Sequence, residues 1–511
     1  MKKRKNVDKI IFAFILEILF LLTILSFYIK KDFSDVSFEQ LIYSMQTATG
    51  TGYDVIKDGS IYVFPRLLCL NLFIYLLYFI NKNKKYNVIC NLKFKNKKFQ
   101  FNLTCPRRLN RVILYSLLFL VLIFTIFFNI GFIDYLTVKD NHFFDKYYVS
   151  PKNVNIEVPK EKNNLILIYV ESLETSLLSS ENGGNFNESV IPNLEKLAKE
   201  NINFSNNNKI GGASMAYGAS WTVAGIVASS SGIPLKIGSS DGNLYWDYNG
   251  SYLPGAYSLG EVLKNNGYSN YFILGSNSTF GGRSLYFSQH GNYDIYDYGY
   301  AINKKWIDKN YFEWWGYEDS KLYNFSKKQL TRISKNNKPF NFTILTADTH
   351  FTDGYVDKSC KEKYDEKYLN SYSCTDSMLY EFINWIKEQD FYKNTTIVII
   401  GDHLSMQKNF KQMYDNNNYE RKIYNTFINS RVKTKNTNNR NFTSFDYYPT
   451  ILSSLGFKIN GNQLGLGVNL FSNKKTLAEK MGFEKFNNGL KEKSNYYNNY
   501  ISENIQFSTK K

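Results

Sequence analysis

The chain has 511 residues, enough for a membrane anchor and one large soluble domain. Its formal charge of +17 first suggests a nucleic-acid partner, but residues 1–137 alone contain 19 basic and 8 acidic residues and hold +11 of that charge. The rest of the sequence has no basic stripe interleaved with aromatic residues, so we exclude nucleic-acid binding.

Three apolar stretches predict a membrane anchor over residues 1–137, because about 20 helical residues cross the hydrocarbon core. The predicted transmembrane helices cover residues 10–29, 61–80 and 112–136. The first is longer than the apolar part of a signal peptide, and two more follow it, so we interpret it as an anchor. Segment 81–111 has ten Lys or Arg and no acid, which predicts a cytoplasmic loop. Everything after the third helix is then expected outside the cytoplasm.

Behind the anchor, the sequence predicts a linker at 138–163, a catalytic domain at 164–474 and a polar tail at 475–511. Short β-branched runs in the domain alternate with amphipathic segments. The predicted strands cover residues 164–170, 270–274, 340–345 and 395–400. The predicted helices cover residues 192–200, 257–265 and 376–388. This order predicts an α/β fold with a mostly parallel sheet sandwiched by helices.

Polar residues follow three of the predicted strands directly. They are Glu171, Asp348, His350, Asp402 and His403. The carboxyl ends of parallel strands share one edge of the sheet, so these side chains are expected to converge there. Carboxylates and imidazole together suit a divalent metal ion. Any one of them alone is equally an ordinary polar residue at a strand end.

A nucleophile is expected in the segment Gly211–Leu235, which is rich in small residues and becomes helical near Val223. Ser220 or Thr222 would lie near the amino end of that helix, where backbone N–H groups favour a transferring phosphate. An ordinary helix-capping role is the alternative for either hydroxyl. The local pattern leaves both the residue and the role open.

Two of the five cysteines, Cys360 and Cys374, lie in the part expected outside the cytoplasm. A disulfide between them is consistent with an oxidising compartment. Two buried free thiols are the alternative.

Eight segments carry a family resemblance. They read LILIYVESLE, SWTVAGIVASSSGIPL, FILGSNSTFGGR, WWGYEDS, TADTHFTDGY, IVIIGDHLSM, TSFDYYPTIL and QLGLGVNL. Over most of residues 164–470 the chain resembles the alkaline phosphatase/sulfatase superfamily and, within it, the lipid-dependent transferases. Lipoteichoic acid synthase and the phosphoethanolamine transferases are in this group. The resemblance is strongest to the phosphoglycerol transferases of osmoregulated periplasmic glucans.

The resemblance implies one divalent ion, Mn²⁺ or Zn²⁺, held by Glu171, Thr222, Asp402 and His403. It also implies that Thr222 is the nucleophile that forms a covalent intermediate.

Further roles are implied by the same resemblance. Arg283 and His350 would take part in catalysis by holding the substrate phosphate and assisting the leaving group. Trp221, beside the nucleophile, would contact the substrate with them. Cys360 and Cys374 fall where the glucan-modifying enzymes have a cysteine pair.

The implied activity is transfer of sn-glycerol-1-phosphate from phosphatidylglycerol to a hydroxyl of a cell-envelope glycan. Phosphoethanolamine transfer to a lipid or glycan is the nearest alternative, and a catalytically inactive, membrane-tethered binding protein is the second. Sulfate ester hydrolysis is not expected, because the segment Ser220–Val223 lacks the C/S-x-P-x-R signature. The implied location is the bacterial cytoplasmic membrane, spanned several times, with the catalytic domain outside. The expected partners are the membrane, phosphatidylglycerol and a periplasmic or cell-surface glycan.

Overall fold

The computed structural model describes most of the chain and divides it into two compact units. The described residues are 2–32, 38, 41, 53–82, 88–94, 97–103, 108–137, 142–236, 250–336, 338–407, 410, 413 and 418–502. The first unit holds residues 1–41 and 52–137, and the second holds residues 42–51 and 138–511. Residues 138–141 of the predicted linker and 503–511 of the predicted tail lie outside the described residues.

The first unit is helical, with one small hairpin. Its helices are α1 (Lys2–Asp32), α2 (Tyr53–Lys82), α3 (Arg108–Asn129) and α4 (Phe132–Thr137). The antiparallel hairpin consists of β1 (Val88–Phe94) and β2 (Lys97–Leu103).

Within the described residues, Ile11–Lys31 of α1 is the one stretch long and apolar enough to cross a membrane. The apolar parts of α2 and α3 are shorter, at Gly59–Tyr75 and Tyr115–Asn129. Residues 10–29 and 61–80 are helical throughout, whereas a turn at residues 130–131 divides the predicted stretch 112–136 between α3 and α4. Three complete crossings stay a prediction.

Hydrogen bonds between side chains join the three long helices. Asn71 in α2 donates to Glu17 in α1 over 2.6 Å, and Asn129 in α3 donates to Ser26 in α1 over 3.1 Å. Such bonds suit helices in apolar surroundings, where a polar side chain lacks water as a partner.

The second unit is an α/β domain. Its strands are β3 (Ile156–Glu157), β4 (Asn164–Val170), β5 (Gly212–Ala213), β6 (Ser269–Leu274), β7 (Asp294–Tyr296), β8 (Phe340–Leu345), β9 (Thr395–Gly401), β10 (Ile423–Ile428), β11 (Lys458–Ile459), β12 (Gln463–Leu464) and β13 (Gly467–Val468). Its helices are α5 (Phe143–Tyr147), α6 (Pro192–Glu200), α7 (Thr222–Ser231), α8 (Leu259–Asn265), α9 (Arg283–Gln289), α10 (Tyr298–Asn303), α11 (Asp319–Ile333), α12 (Lys367–Lys387), α13 (Tyr447–Ser454), α14 (Leu477–Met481) and α15 (Phe483–Lys491). The helix predicted at 376–388 is α12, which begins nine residues earlier.

Seven strands form the central sheet in the order β5-β10-β9-β4-β8-β6-β7. The five from β9 to β7 are parallel, and β10 is antiparallel to both of its neighbours. The predicted mostly parallel sheet is confirmed. Val170 pairs with Gly401 and Tyr169 with Leu345, so β4, β8 and β9 end at one level.

The side chains of β4 point alternately to the two faces of the sheet and contribute to a buried core on each face. Leu165, Leu167 and Tyr169 belong to one buried cluster, which also contains side chains of α7 and α13. Ile166, Ile168 and Val170 belong to the other, with side chains of α6, α11 and α12. A strand that is apolar on both faces must be covered on both faces. This explains why helices lie on each side of the sheet, giving three layers.

The domain boundaries predicted at 163 and 474 stay a prediction, and described residues on the outer side of each are buried in the second unit. In the predicted linker, Phe144 is fully buried and β3 pairs with β11. In the predicted tail, Leu490 and Tyr497 are fully buried, and the Tyr497 ring lies 5.2 Å from that of Phe144. These apolar residues are isolated among Asn and Lys, so composition alone hid their burial.

Candidate metal centre and nucleophile

The ends of β4 and β9 bring Glu171, Asp402 and His403 together. One possible ligand atom from each lies within 4.8 Å of the others, and all three side chains are buried. Of the five side chains that the strand order predicted to converge, these three do, whereas the Asp348 carboxylate accepts the amide of Asp319 and is not in the three-residue cluster. His350 follows β8 at the same edge of the sheet.

Asp402 is oriented by two backbone donors. Its Oδ1 atom accepts N–H bonds of 2.8 Å from Ser172 and from His403. Its Oδ2 atom is buried, accepts no hydrogen bond and lies 3.6 Å from Nε2 of His403. A carboxylate held in this way has one oxygen anchored and the other directed into the cluster.

His403 is held by its other ring nitrogen. Nδ1 lies 2.8 Å from the carbonyl oxygen of Leu404, so Nδ1 carries the proton and donates it. Nε2 lies 3.2 Å from Oε1 of Glu171 and would offer its lone pair to a metal ion. A backbone carbonyl commonly fixes a metal-binding imidazole in this way.

Glu171 is anchored by Ser172 beside it and by two threonines of the segment after β8. The Ser172 hydroxyl donates 2.8 Å to Oε1, and the Thr349 hydroxyl donates 2.5 Å to the Glu171 carbonyl oxygen. The Glu171 amide donates 3.0 Å to the Thr346 hydroxyl. The segments after β4 and β8 are therefore fastened to each other.

The electrostatics of the cluster favour a cation. Burial raises the pKa of the Asp402 carboxyl to about 8, and the charge of Glu171 adds to this. Burial acts on Glu171 as well, but the charge and hydrogen bond of His403 outweigh it and lower its pKa. Burial lowers the pKa of His403, yet the two carboxylates raise it to about 9. At neutral pH these raised pKa values keep protons on Asp402 and His403, where a divalent cation would take their place, and the Oδ2 atom of Asp402 accepts no hydrogen bond. The donor set fits Mn²⁺ or Zn²⁺.

Thr222 is the first residue of α7, and its hydroxyl faces this cluster. Oγ1 donates 3.1 Å to Oε2 of Glu171 and lies 3.4 Å from Nε2 of His403. The N-cap of α7 is Trp221, with extended backbone, so Thr222 is not the capping residue. Between the two hydroxyls that the sequence left open, Thr222 is the one with these contacts.

Gly225 lets α7 approach the sheet closely enough for this. A Cβ atom there would lie 2.1 Å from the backbone oxygen of Asp402. Sequence reasoning passed over this glycine, although the small residues of the segment were a signal of close packing.

Arg283 and His350 border the cluster. Arg283 is buried at the start of α9 and donates 2.7 Å to the Asn277 carbonyl oxygen. Gly281, two residues before it, packs against Val223, the neighbour of Thr222. The pKa of His350 is lowered, chiefly by burial, with the positive charges of His403 and Arg283 acting in the same direction.

The structure joins Cys360 to Cys374 by a disulfide, which links the loop after β8 to α12. Trp221 is partly buried and packs against the core next to Thr222.

Supporting residues in α11 and α12 were missed by the sequence reasoning. Asp319 accepts the N–H groups of Ala347 and Asp348, both over 3.0 Å. Tyr368 and Tyr372 in α12 donate to backbone oxygens beside the cluster. Isolated polar residues in amphipathic helices gave no signal, because their partners are distant in sequence.

The sheet order and the acid–imidazole–hydroxyl cluster at its edge define an alkaline-phosphatase-like α/β protein. Residues 163–457 match the sulfatase family, and the chain belongs to that family.

Two curated relatives carry the same description. The chain is 34% identical over 269 residues to phosphoglycerol transferase I of Salmonella choleraesuis, covering 52% of this chain and 33% of that protein. It is 31% identical over 330 residues to phosphoglycerol transferase I of Shigella flexneri, covering 63% of this chain and 40% of that protein. The chain thus matches well under half of the length of these relatives.

A solved membrane protein has the same fold. It is the integral membrane protein lipooligosaccharide phosphoethanolamine transferase A from Neisseria meningitidis, at 13% identity and a TM-score of 0.51. The match covers 87% of this chain and 84% of that protein. At this identity the likeness shows the fold alone.

Proposed function

We propose that this chain is a metal-dependent transferase that moves sn-glycerol-1-phosphate from phosphatidylglycerol to a hydroxyl of a cell-envelope glycan. The observation that carries the proposal is the Thr222 hydroxyl, 3.1 Å from Glu171 and 3.4 Å from His403. An activated hydroxyl beside a buried acid–imidazole cluster suits nucleophilic attack on phosphorus. The names of the two curated relatives support glycerol phosphate as the transferred group.

The reaction exchanges one phosphate ester for another in two steps. Thr222 Oγ1 attacks the donor phosphorus, the bond to the diacylglycerol oxygen breaks, and glycerol phosphate remains esterified to Thr222. The hydroxyl proton of Thr222 leaves with diacylglycerol. The acceptor oxygen then attacks the same phosphorus, and its proton returns to Thr222.

Three groups of this chain would lower the barrier. The amino end of α7 favours negative charge on the attacking oxygen and the phosphate. Arg283 offers a planar pair of donors to phosphate oxygens. His350 is neutral near pH 7, because its pKa is lowered, and it can take the acceptor's proton.

A divalent ion held by Glu171, Asp402 and His403, with Thr222 as a further ligand, would lower the pKa of the hydroxyl and offset phosphate charge. Both Mn²⁺ and Zn²⁺ accept these donors. We further infer that the site works outside the bacterial cytoplasmic membrane, with the first unit spanning it several times. Such an anchor would keep the site near its lipid donor.

The test uses purified full-length protein in detergent with Mn²⁺ and fluorescent phosphatidylglycerol. Diacylglycerol release is followed for the wild type, Thr222→Ala and Ser220→Ala. We expect Thr222→Ala to lower the rate by about 10³-fold or more, and chelation to abolish it. Ser220→Ala is the matched control, since Ser220 was the other candidate hydroxyl, and it should retain activity.

Each contrary result has a definite meaning. Loss of activity in Ser220→Ala but not in Thr222→Ala would refute the assigned nucleophile. Cleavage of phosphatidylethanolamine with phosphatidylglycerol untouched would favour the phosphoethanolamine alternative. No release of diacylglycerol from either lipid would favour the alternative of a catalytically inactive binding protein.

A further inference from the structure

The WWGYEDS segment lies between two loops that lead to the candidate site, and the proposed chemistry does not use it. On one side, Tyr317 donates through its amide to the Gly275 carbonyl over 3.0 Å and through its hydroxyl to the Leu274 carbonyl over 2.9 Å. On the other side, the Trp314 indole donates to the Ala347 carbonyl over 2.8 Å. The segment therefore bridges the ends of β6 and β8.

Asp319 locks this segment to the loop that carries His350. Its carboxylate accepts the amides of Ala347 and Asp348, and its own amide donates 3.1 Å to the Asp348 carboxylate. Asp319 and Asp348 are both fully buried. Trp315, held between Trp314 and Asp319, is thus fixed in position relative to His350.

Trp315 is the middle of three neighbouring rings, which we name the aromatic wall: Phe280, Trp315 and His350. The ring centroids of Phe280 and Trp315 are 5.6 Å apart, and those of Trp315 and His350 are 4.7 Å apart. All three side chains are half-buried. The guanidinium of Arg283 lies 5.4 Å from the Phe280 ring. The wall therefore extends from beside Arg283, the group assigned to the phosphate, to His350, the group assigned to the acceptor's proton.

The chemistry of the wall suits a sugar ring. Pyranose rings have C–H faces that pack on aromatic rings and hydroxyl edges that bind polar groups, and the wall combines rings with charged and imidazole donors. An acyl chain would need a continuous apolar surface. In the described part of the second unit, the large apolar side chains that are exposed are only Val158 and Phe312.

We propose that the aromatic wall binds a sugar ring of the acceptor, with Trp315 as its platform. The acceptor is then a carbohydrate rather than a lipid headgroup or free glycerol. This inference rests on the proposed function, because the sugar receives its group from Thr222. It goes beyond that function in assigning the acceptor's class to particular residues.

The first experiment measures binding without turnover. Full-length Thr222→Ala protein in detergent with Mn²⁺ is titrated calorimetrically with cellopentaose and with maltopentaose. We expect at least one to bind, Trp315→Ala to weaken binding about tenfold or more, and Trp315→Phe to recover part of it. Phe312→Ala is the matched control, since this exposed aromatic lies on the same loop, three residues away. Equal affinity in Trp315→Ala, or no binding of either sugar, would overturn the proposal.

The second experiment offers otherwise wild-type protein the same oligosaccharide and glycerol, an acceptor without a ring, in competition. Trp315→Ala should lower the ratio of oligosaccharide product to glycerol product about tenfold, whereas Phe312→Ala keeps the wild-type ratio. An equal loss of both products would assign Trp315 to the donor or the fold and overturn the inference. Sugar binding without any lipid cleavage would refute the proposed function but support the inference that the aromatic wall binds sugar. Lipid cleavage with an unchanged product ratio in Trp315→Ala would support the proposed function and refute sugar binding at the aromatic wall.

Discussion

The hydroxyl of Tyr372 donates a hydrogen bond of 2.8 Å to the carbonyl oxygen of Ser172, the residue that follows Glu171. One turn away on the same helix, Tyr368 donates 3.0 Å to the carbonyl oxygen of Thr349, beside His350. Both tyrosines are fully buried. Helix α12 therefore supports two of the segments that form the site, from a part of the chain about 200 residues beyond Glu171.

Tyr372→Phe should weaken metal binding because the loop that carries Glu171 loses its buried donor. We expect a loss of about tenfold, at the lower end of the effect of removing outer hydrogen bonds from a metal site. Titration with Mn²⁺ followed by electron paramagnetic resonance measures it. Tyr380→Phe, on the same helix but hydrogen-bonded to Lys196 at the surface, is the control. Equal affinity in the two variants would show that α12 does not position the site.

Asp402→Asn should abolish metal binding yet stabilise the metal-free protein. Burial and the charge of Glu171 raise the pKa of this carboxyl to about 8, so its ionised form opposes folding at neutral pH. An amide keeps an oxygen for the two backbone donors. We expect the thermal midpoint of the chelated protein to rise by several degrees, since a carboxyl with a pKa of about 8 in the folded protein costs roughly 4 kcal/mol at pH 7 relative to its ordinary pKa.

When Mn²⁺ is added, the wild type should have a higher thermal midpoint than Asp402→Asn, the reverse of the order expected for the metal-free proteins. Only the wild type gains stability from the ion, by about 2.7 kcal/mol at a hundredfold excess over Kd. A metal-free Asp402→Asn protein that melts below the metal-free wild type would contradict this account of the site.

Gly281→Ala should reduce both stability and activity. Gly281 has a φ of +68°, and an added Cβ would lie 2.6 Å from Cγ2 of Val223, the neighbour of Thr222. Gly461→Ala is the control, since Gly461 has a φ of +74° but nothing within 4 Å of an added Cβ. Both variants should lose about 1 kcal/mol of unfolding free energy from the backbone strain. Only Gly281→Ala should also slow diacylglycerol release, and equal rates in the two would show that this contact does not position Arg283.

Asp376 should give the protein a pH-dependent loss of stability. Burial raises its pKa to about 6, although it accepts the amides of Asn193 and Leu194 at the start of α6. The folded protein therefore holds a proton that the unfolded chain releases near pH 4. This contribution is complete below about pH 4 and is lost as the pH rises to about 6, by about 3 kcal/mol in all.

Asp376→Asn cannot ionise, so denaturant unfolding of the two proteins between pH 4 and 7 isolates this effect. The wild type should lose stability relative to the variant as the pH rises. Parallel pH profiles would refute the raised pKa.

The α/β class, the ends of the main strands and the residues that follow them could all be predicted from the sequence. β4 and β9 are mostly apolar on both faces and β8 on one, so all three were expected to be buried, and parallel strands place their carboxyl ends together. That reasoning brought Glu171, Asp402 and His403 to one edge without coordinates. The family resemblance, rather than local physics, singled out Thr222.

How these groups are held could not be predicted from the sequence and is seen in the folded domain. The bonds from Tyr372 to Ser172 and from Asp319 to Ala347 join residues far apart in sequence, and nothing local distinguishes such side chains from solvated ones. The same holds for the tail, where Tyr497 packs on Phe144 across more than 350 residues. Local sequence reports periodicity and turn chemistry, whereas hydrogen-bond partners and buried contacts depend on which distant segments the fold makes neighbours.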